Sequence, residues 1–239
     1  MIIVVTGHRP KGKLWDIYDL YHPLYLEIAR EMRTYLLEAI KNLKEDEVLT
    51  LVTGMALGID TLFALVGLKL KKEFPGKVRL FCMIPCKGHS KKWNKEDRKR
   101  YNEILSQADR EEYSSQAEYS NYMTMYKRDE DMVDLLNKEE GYVLSVWNGF
   151  KSGGTFHTVD YAEQNEKIVH NINPLKYSYL VLFQNESDIE KFREYIKSKS
   201  KQSLTNMLSL YEKAKKGSIQ HDTKIDFRIE ILKGQINII

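Results

Sequence analysis

Short runs of β-branched and aliphatic residues alternate along the first 172 positions with longer stretches in which apolar side chains recur every three or four residues. The runs at 2–5, 49–52, 78–84, 142–146 and 168–172 read as buried strands, because strands covered on both faces carry nearly continuous apolar side chains. Between them, Leu24, Ile28, Met32, Leu36, Ala39 and Leu43 mark a helix starting at Pro23. Residues 59–72 predict a second helix, 117–136 a mostly helical region, and Gly153-Gly154 opens another as far as about Gln164. Such an alternation predicts an α/β fold, Rossmann-like and doubly wound, with a mostly parallel sheet.

Asn173-Pro174 marks a boundary, since the residue before a proline is pushed out of helical geometry. The expectation is a ligand-binding domain over 1–174 and a small C-terminal α+β appendage over 175–239. In the appendage, 179–183 reads as a strand, and 189–196 and 204–214 read as helices. Lys224 to Ile231 alternates polar and apolar with period two, which predicts a further strand. Lys233-Gly234 would turn it back into a hairpin with 235–239.

The 239 residues are 42% hydrophobic and 30% charged, enough to close a sizeable core. A formal net charge of +3 is too small to make the whole chain a polyanion binder. Its placement is more informative: positions 87–100 hold seven basic and two acidic residues around Trp93. The only cysteines, Cys82 and Cys86, do not make a secreted disulfide scaffold, and a lone C-x3-C spacing without a second pair makes a poor zinc site. No metal and no cofactor are therefore expected. The first residues lack the features of a signal peptide, and no window approaches the roughly 18 apolar residues of a membrane span. The expected location is cytoplasmic, with no membrane partner.

Three glycine-containing turns fall where a strand hands over to a loop or helix. They are TGHRP (6–10), TGMALGID (53–60) and GFKSGGT (149–155). In a parallel sheet all three reach the carboxyl edge, where open α/β sheets bind ligands. Glycine allows close backbone approach, and free amides at a helix start attract an anion. Arg9 is a suitable bidentate partner for phosphate. His8 either orients its turn by hydrogen bonding or touches the ligand. The absence of GxGxxG and GxxxxGK[ST] excludes the usual dinucleotide fingerprint and the Walker phosphate loop.

TGHRP, TGMALGID, IPCKGHSKKWNKEDRKRYNEIL, YKRDEDMVD and VWNGFKSGGTFHTVDYA, in that order across about residues 1–174, resemble the SLOG superfamily in its YpsA-like branch. The resemblance implies a Rossmann-like fold with a pocket for a nucleotide or nucleotide-derived small molecule at the strand ends. Position by position it implies ligand contacts from Thr6, Gly7, His8 and Arg9, from Gly54, Met55 and Ala56, and from a phosphate-facing Gly153, Gly154 and Thr155. Arg128 and Asp129 would turn toward the pocket, Trp93 and Tyr101 would cover it, and Asp60 would anchor the second helix.

The superfamily also contains phosphoribohydrolases that cleave nucleoside monophosphates and carry a glutamate three residues after the threonine; here that residue is Thr158. The implied role is thus binding without turnover, with no catalytic residue assigned. Superfamily members that read ADP-ribose-type signals in bacterial antiviral defence suggest a sensor or a sequestering protein, compatible with a phage origin. The alternatives are a phosphoribohydrolase-like enzyme or a single-strand nucleic-acid binder using the basic stretch around Trp93, against which the small net charge argues. Self-association into a homo-oligomer is a further expectation.

Overall fold

Six strands, β1 (Ile2–Gly7), β2 (Leu49–Thr53), β3 (Val78–Ile84), β4 (Arg110–Tyr113), β5 (Gly141–Val146) and β6 (Val169–Ile172), form one sheet in the order β4-β3-β2-β1-β5-β6. The computed structural model describes residues 1–178 apart from 12, 15–16, 119–121 and 138–139. Beyond them it describes 193–194, 196–197, 200–202, 204–205, 208–209, 212 and 223–238. All five strand pairings are parallel. Parallel neighbours require crossovers, and these are α1 (Pro23–Lys41), α2 (Ile59–Glu73), α3 (Lys95–Leu105), α4 (Met123–Asp134) and α5 (Gly154–Gln164). The chain winds outward from β1 to β4 and then returns to β1's other side with β5 and β6. The topological switch point therefore lies between β1 and β5.

Ile3, Val4, Val5, Leu51, Val52, Leu80, Val143 and Leu144 are buried in the sheet, and Ile28, Met32 and Leu36 bury one face of α1. Pro23 starts α1, and His22 Nδ1 accepts the Leu24 N–H at 3.2 Å, satisfying one of the donors that a helix start leaves free. α2 packs close on β2: a Cβ at Gly67 would lie 2.8 Å from Leu51 Cδ1.

β4 is not foreshadowed by any apolar run. Its residues are REEY, with Arg110, Glu111 and Glu112 exposed, and it pairs on one side only. The unpaired edge of β3 recruits it, and the Arg110 guanidinium lies over the Phe81 ring at 4.3 Å.

The chain divides into two compact units, Met1–Ile172 and Asn173–Ile239. In the second, the Asn173 side chain accepts the Leu175 N–H at 3.0 Å and opens a 3-10 turn over Pro174–Tyr177. The strand expected over 179–183 lies outside the described residues, as do parts of the two expected helices, whose described residues are helical. The strand expected over Lys224–Ile231 and its hairpin are corrected. Thr223–Ile238 is a helix, α6. Its apolar residues fit period two over a short window, but Ile229, Leu232 and Ile236 also follow helical spacing, and they pack with Ile196, Leu204 and Leu208. Packing decided between two periods that the sequence leaves open.

Candidate functional site

At the switch point the first and third glycine turns are fastened to each other. His8 is 2% exposed; its backbone N–H donates to the Val146 carbonyl at 3.3 Å, and its Nε2 accepts the Asn148 N–H at 3.2 Å. Burial pushes its imidazole down to about 4, so the ring is neutral and free to accept. Beyond it, Asn148 Oδ1 accepts the Phe150 N–H at 3.1 Å, and Lys13 Nζ sits 4.5 Å over the Phe150 ring and 3.4 Å from Ser152 Oγ.

Beneath the turns runs a buried polar network. Arg128 on α4 is 3% exposed, donates from Nη1 to the Gly54 carbonyl, and lies 3.6 Å from Asp60 Oδ2 and 2.9 Å from Asp129 Oδ1. A Cβ at Gly54 would collide with the guanidinium, which is why this turn needs glycine. The Asp60 carboxylate accepts the Ala56 N–H at 3.2 Å, and Thr53 Oγ1 accepts the Met55 N–H at 3.2 Å. Met55 holds a left-handed φ of 56°. Two amides of the second turn are thus engaged by the protein itself. Burial pushes the Asp60 carboxyl up to about 6 against the pull of Arg128, and raises Asp129 in the same way.

Asp129 Oδ2 lies 3.5 Å from where a Cβ of Gly154 would be, so a carboxylate stands beside the start of α5. Negative charge is favoured at that end of a helix. α5 begins after Gly153, with φ 83° and no side-chain cap among the described residues. Thr155 is buried in its first turn, and Thr6 Oγ1 donates to Thr158 Oγ1 at 3.2 Å, which donates to the Gly154 carbonyl at 2.9 Å.

A cavity of about 490 Å³ opens at the carboxyl ends of β1, β2 and β3. Arg9, Lys87, Lys91 and Lys92 line it together with His89, Trp93, Leu57 and Met125, and among the described residues Glu118 is the single carboxylate in its wall. The 87–93 segment is held from both sides. The Lys87 N–H donates to the Ala117 carbonyl at 3.1 Å, and Asn94 caps α3 by accepting the Asp97 N–H at 2.8 Å. Trp93 stands edge-on to Tyr101, centroids 5.3 Å apart.

Of the residues assigned by pattern, Arg9 and Trp93 face this cavity. His8 makes the switch-point tie, to Asn148, which no sequence pattern marks, and Gly7 pairs in register with Val146 beside it. Gly54, Met55, Ala56, Arg128, Asp129, Thr6 and Thr155 belong to or adjoin the buried network, and Gly153 and Gly154 open α5. Pattern reasoning did not assign Lys87 and His89 to a ligand site, although they occupy the same place after β3 that Arg9 occupies after β1. The strand-end rule extends to them, since Gly88 lies between them in the loop that follows β3. Among the described residues no cluster of three His, Cys, Asp or Glu side chains could hold a metal, and no helix is long and apolar enough to cross a membrane.

Residues 3–180 match the model of the YspA SLOG family. A UPF0398 protein of Macrococcus caseolyticus is 26% identical over 188 residues, covering 77% of this chain and 94% of that protein. A UPF0398 protein of Staphylococcus epidermidis is 27% identical over 103 residues, 43% of this chain and 54% of the relative. One from Staphylococcus haemolyticus is 33% identical over 78 residues, 33% of this chain and 41% of the relative. The chain thus spans about half the length of the staphylococcal relatives it matches.

Proposed function

The chain belongs to the YspA SLOG family, and from that premise we propose that it binds a phosphorylated nucleotide or nucleotide-derived signal, of the ADP-ribose type, as a sensor or sequestering protein. One observation carries the reading: four cations and a tryptophan converge on one cavity in a chain whose net charge is only +3. Arg9 and the lysines suit phosphate oxygens, Arg9 bidentately, and Trp93 offers a face for a base. The cavity volume falls in the range of small-molecule sites, roughly 300–1,000 Å³. Binding without turnover is favoured by Thr158, which brings no carboxylate to its position and spends its hydroxyl on the Gly154 carbonyl.

A thermal-shift panel with AMP, ADP and ADP-ribose at 1 mM in low salt tests the reading. A ligand present at about 100 times its Kd adds about 2.7 kcal/mol, or on the order of 5 °C in Tm for a domain of this size. The expected result is a shift with at least one compound that is smaller in a Lys91→Ala/Lys92→Ala variant. No shift with any of them defeats the proposal.

A further inference from the structure

We infer that Glu118 is the residue with which the cavity selects its ligand, by accepting hydrogen bonds from the hydroxyls of a ribose while the cations around it take the phosphates. The inference rests on the nucleotide-binding reading above and deepens it: the site favours ribonucleotides over their 2′-deoxy counterparts and over plain anions.

Glu118 shares the cavity wall with Arg9, Lys87, Lys91 and Lys92, and all five residues are exposed, so a ligand can reach them. Opposite charges gathered in one concave wall would ordinarily pair. Among the described residues none of these five makes an ion pair or a side-chain hydrogen bond. The cations and the carboxylate are thus both left for something that enters the cavity. Backbone contacts fix where Glu118 starts: it faces Lys87 across an isolated parallel bridge, in which the Lys87 N–H donates to the Ala117 carbonyl at 3.1 Å, and Ser115 Oγ accepts the Ala117 N–H at 3.2 Å. The loop that leaves β4 is therefore tied to the loop that leaves β3 at the residue that carries the carboxylate.

A carboxylate in a phosphate site repels the phosphate, so its contribution is favourable only if the same ligand also brings donors. An ionised carboxylate accepts and cannot donate, and it has two oxygens to offer. The neighbouring hydroxyls of a ribose present two donors side by side, and carboxylates are the usual partners of ribose hydroxyls where open α/β sheets bind nucleotides. Two other carboxylates near this edge of the sheet are already engaged and buried: Asp60 takes the Ala56 N–H and faces Arg128, and Asp129 pairs with Arg128. With the base on Trp93 and the phosphates on Arg9 and the lysines, the sugar between them is the part left for Glu118. Sites that hydrogen-bond a ligand's hydroxyl discriminate strongly against compounds lacking it.

The test is calorimetry on the full chain in EDTA, as wild type, Glu118→Ala and Glu118→Gln, with ADP, 2′-deoxy-ADP, IDP and inorganic pyrophosphate, and with Tm recorded for each protein. The wild type is expected to bind ADP about tenfold more tightly than 2′-deoxy-ADP. Glu118→Ala should bring the two within about twofold and tighten pyrophosphate by about twofold or more, because a repelling charge is gone. Glu118→Gln, which keeps an acceptor without the charge, should tighten pyrophosphate equally and retain part of the preference for ADP. A wild type without that preference, a preference that survives in Glu118→Ala, or pyrophosphate weakened by that substitution overturns the role given to Glu118 and leaves the anion site standing. Loss of a preference for ADP over IDP instead would assign the carboxylate to the base amine and overturn it equally. A wild type that binds none of the nucleotides overturns the nucleotide reading and this inference with it.

Discussion

The His8 imidazole accepts the Asn148 backbone N–H at 3.2 Å, so one buried side chain fastens the two turns that flank the switch point between β1 and β5. The bond requires a neutral ring. An unfolded chain takes up a proton on this histidine below about pH 6.5, whereas the folded one does so only near 4. The contribution is therefore complete above pH 6.5 and is lost as the pH falls toward 4. Urea denaturation of wild type and His8→Gln at pH 7.5, 6, 5 and 4.5 should show the wild type losing about 1.4 kcal/mol per pH unit relative to the variant within that window. A difference independent of pH would contradict the assignment.

Removing Arg128 leaves Asp60 and Asp129 buried without their cation. Arg128→Met should cost about 3–5 kcal/mol at pH 7.5. The deficit should shrink as the pH falls through 6, because the Asp60 carboxyl, raised to about 6, then takes up a proton and needs no cation; burial raises Asp129 as well, which acts in the same direction. A deficit independent of pH would show that Arg128 acts through packing alone.

A methyl group at position 54 would overlap the Arg128 guanidinium. Gly54→Ala should therefore destabilise by more than about 2 kcal/mol, and its effect should be strongly non-additive with Arg128→Met in a double-mutant cycle. Simple additivity would mean that the turn tolerates the methyl group by moving away from the arginine.

Much of this arrangement was legible in the sequence, for reasons that are specific. β1, β2, β3 and β5 carry the apolar runs of strands buried on both faces, and the glycine turns that follow three of them lie at the carboxyl edge; β6, VHNI at the other edge of the sheet, leaves His170 and Asn171 exposed. REEY at β4 was hidden because an edge strand needs no apolar run when a neighbour supplies the hydrogen-bonding edge. KIDFRIEI satisfies period two locally and so reads as a strand, and only the packing of α6 with Ile196 and Leu204 selects the helix. Within the site, Arg9 and Trp93 stood out by residue type. The Arg128–Asp60 pair spans two distant segments, and no spacing rule within one element reveals that a carboxylate there faces inward to a cation instead of outward to a ligand.

The lysines after β3 should act on affinity through charge rather than shape. Lys91→Ala/Lys92→Ala should leave Tm in the absence of ligand within about 1 °C, since both side chains are exposed. It should weaken ADP-ribose binding and flatten its dependence on salt between 50 and 300 mM, as expected of exposed charges. An unchanged salt dependence would place the phosphates elsewhere on the carboxyl edge.

The most direct test of nucleotide binding at this cavity is calorimetric titration of wild type and Arg9→Ala with ADP-ribose, cyclic ADP-ribose and AMP. The account predicts that at least one of them binds with a Kd below about 100 μM, or roughly −5.5 kcal/mol, and that Arg9→Ala weakens it about tenfold or more, as removal of a bidentate phosphate contact should. It is contradicted if none of the three binds below that limit, or if Arg9→Ala binds as tightly as wild type.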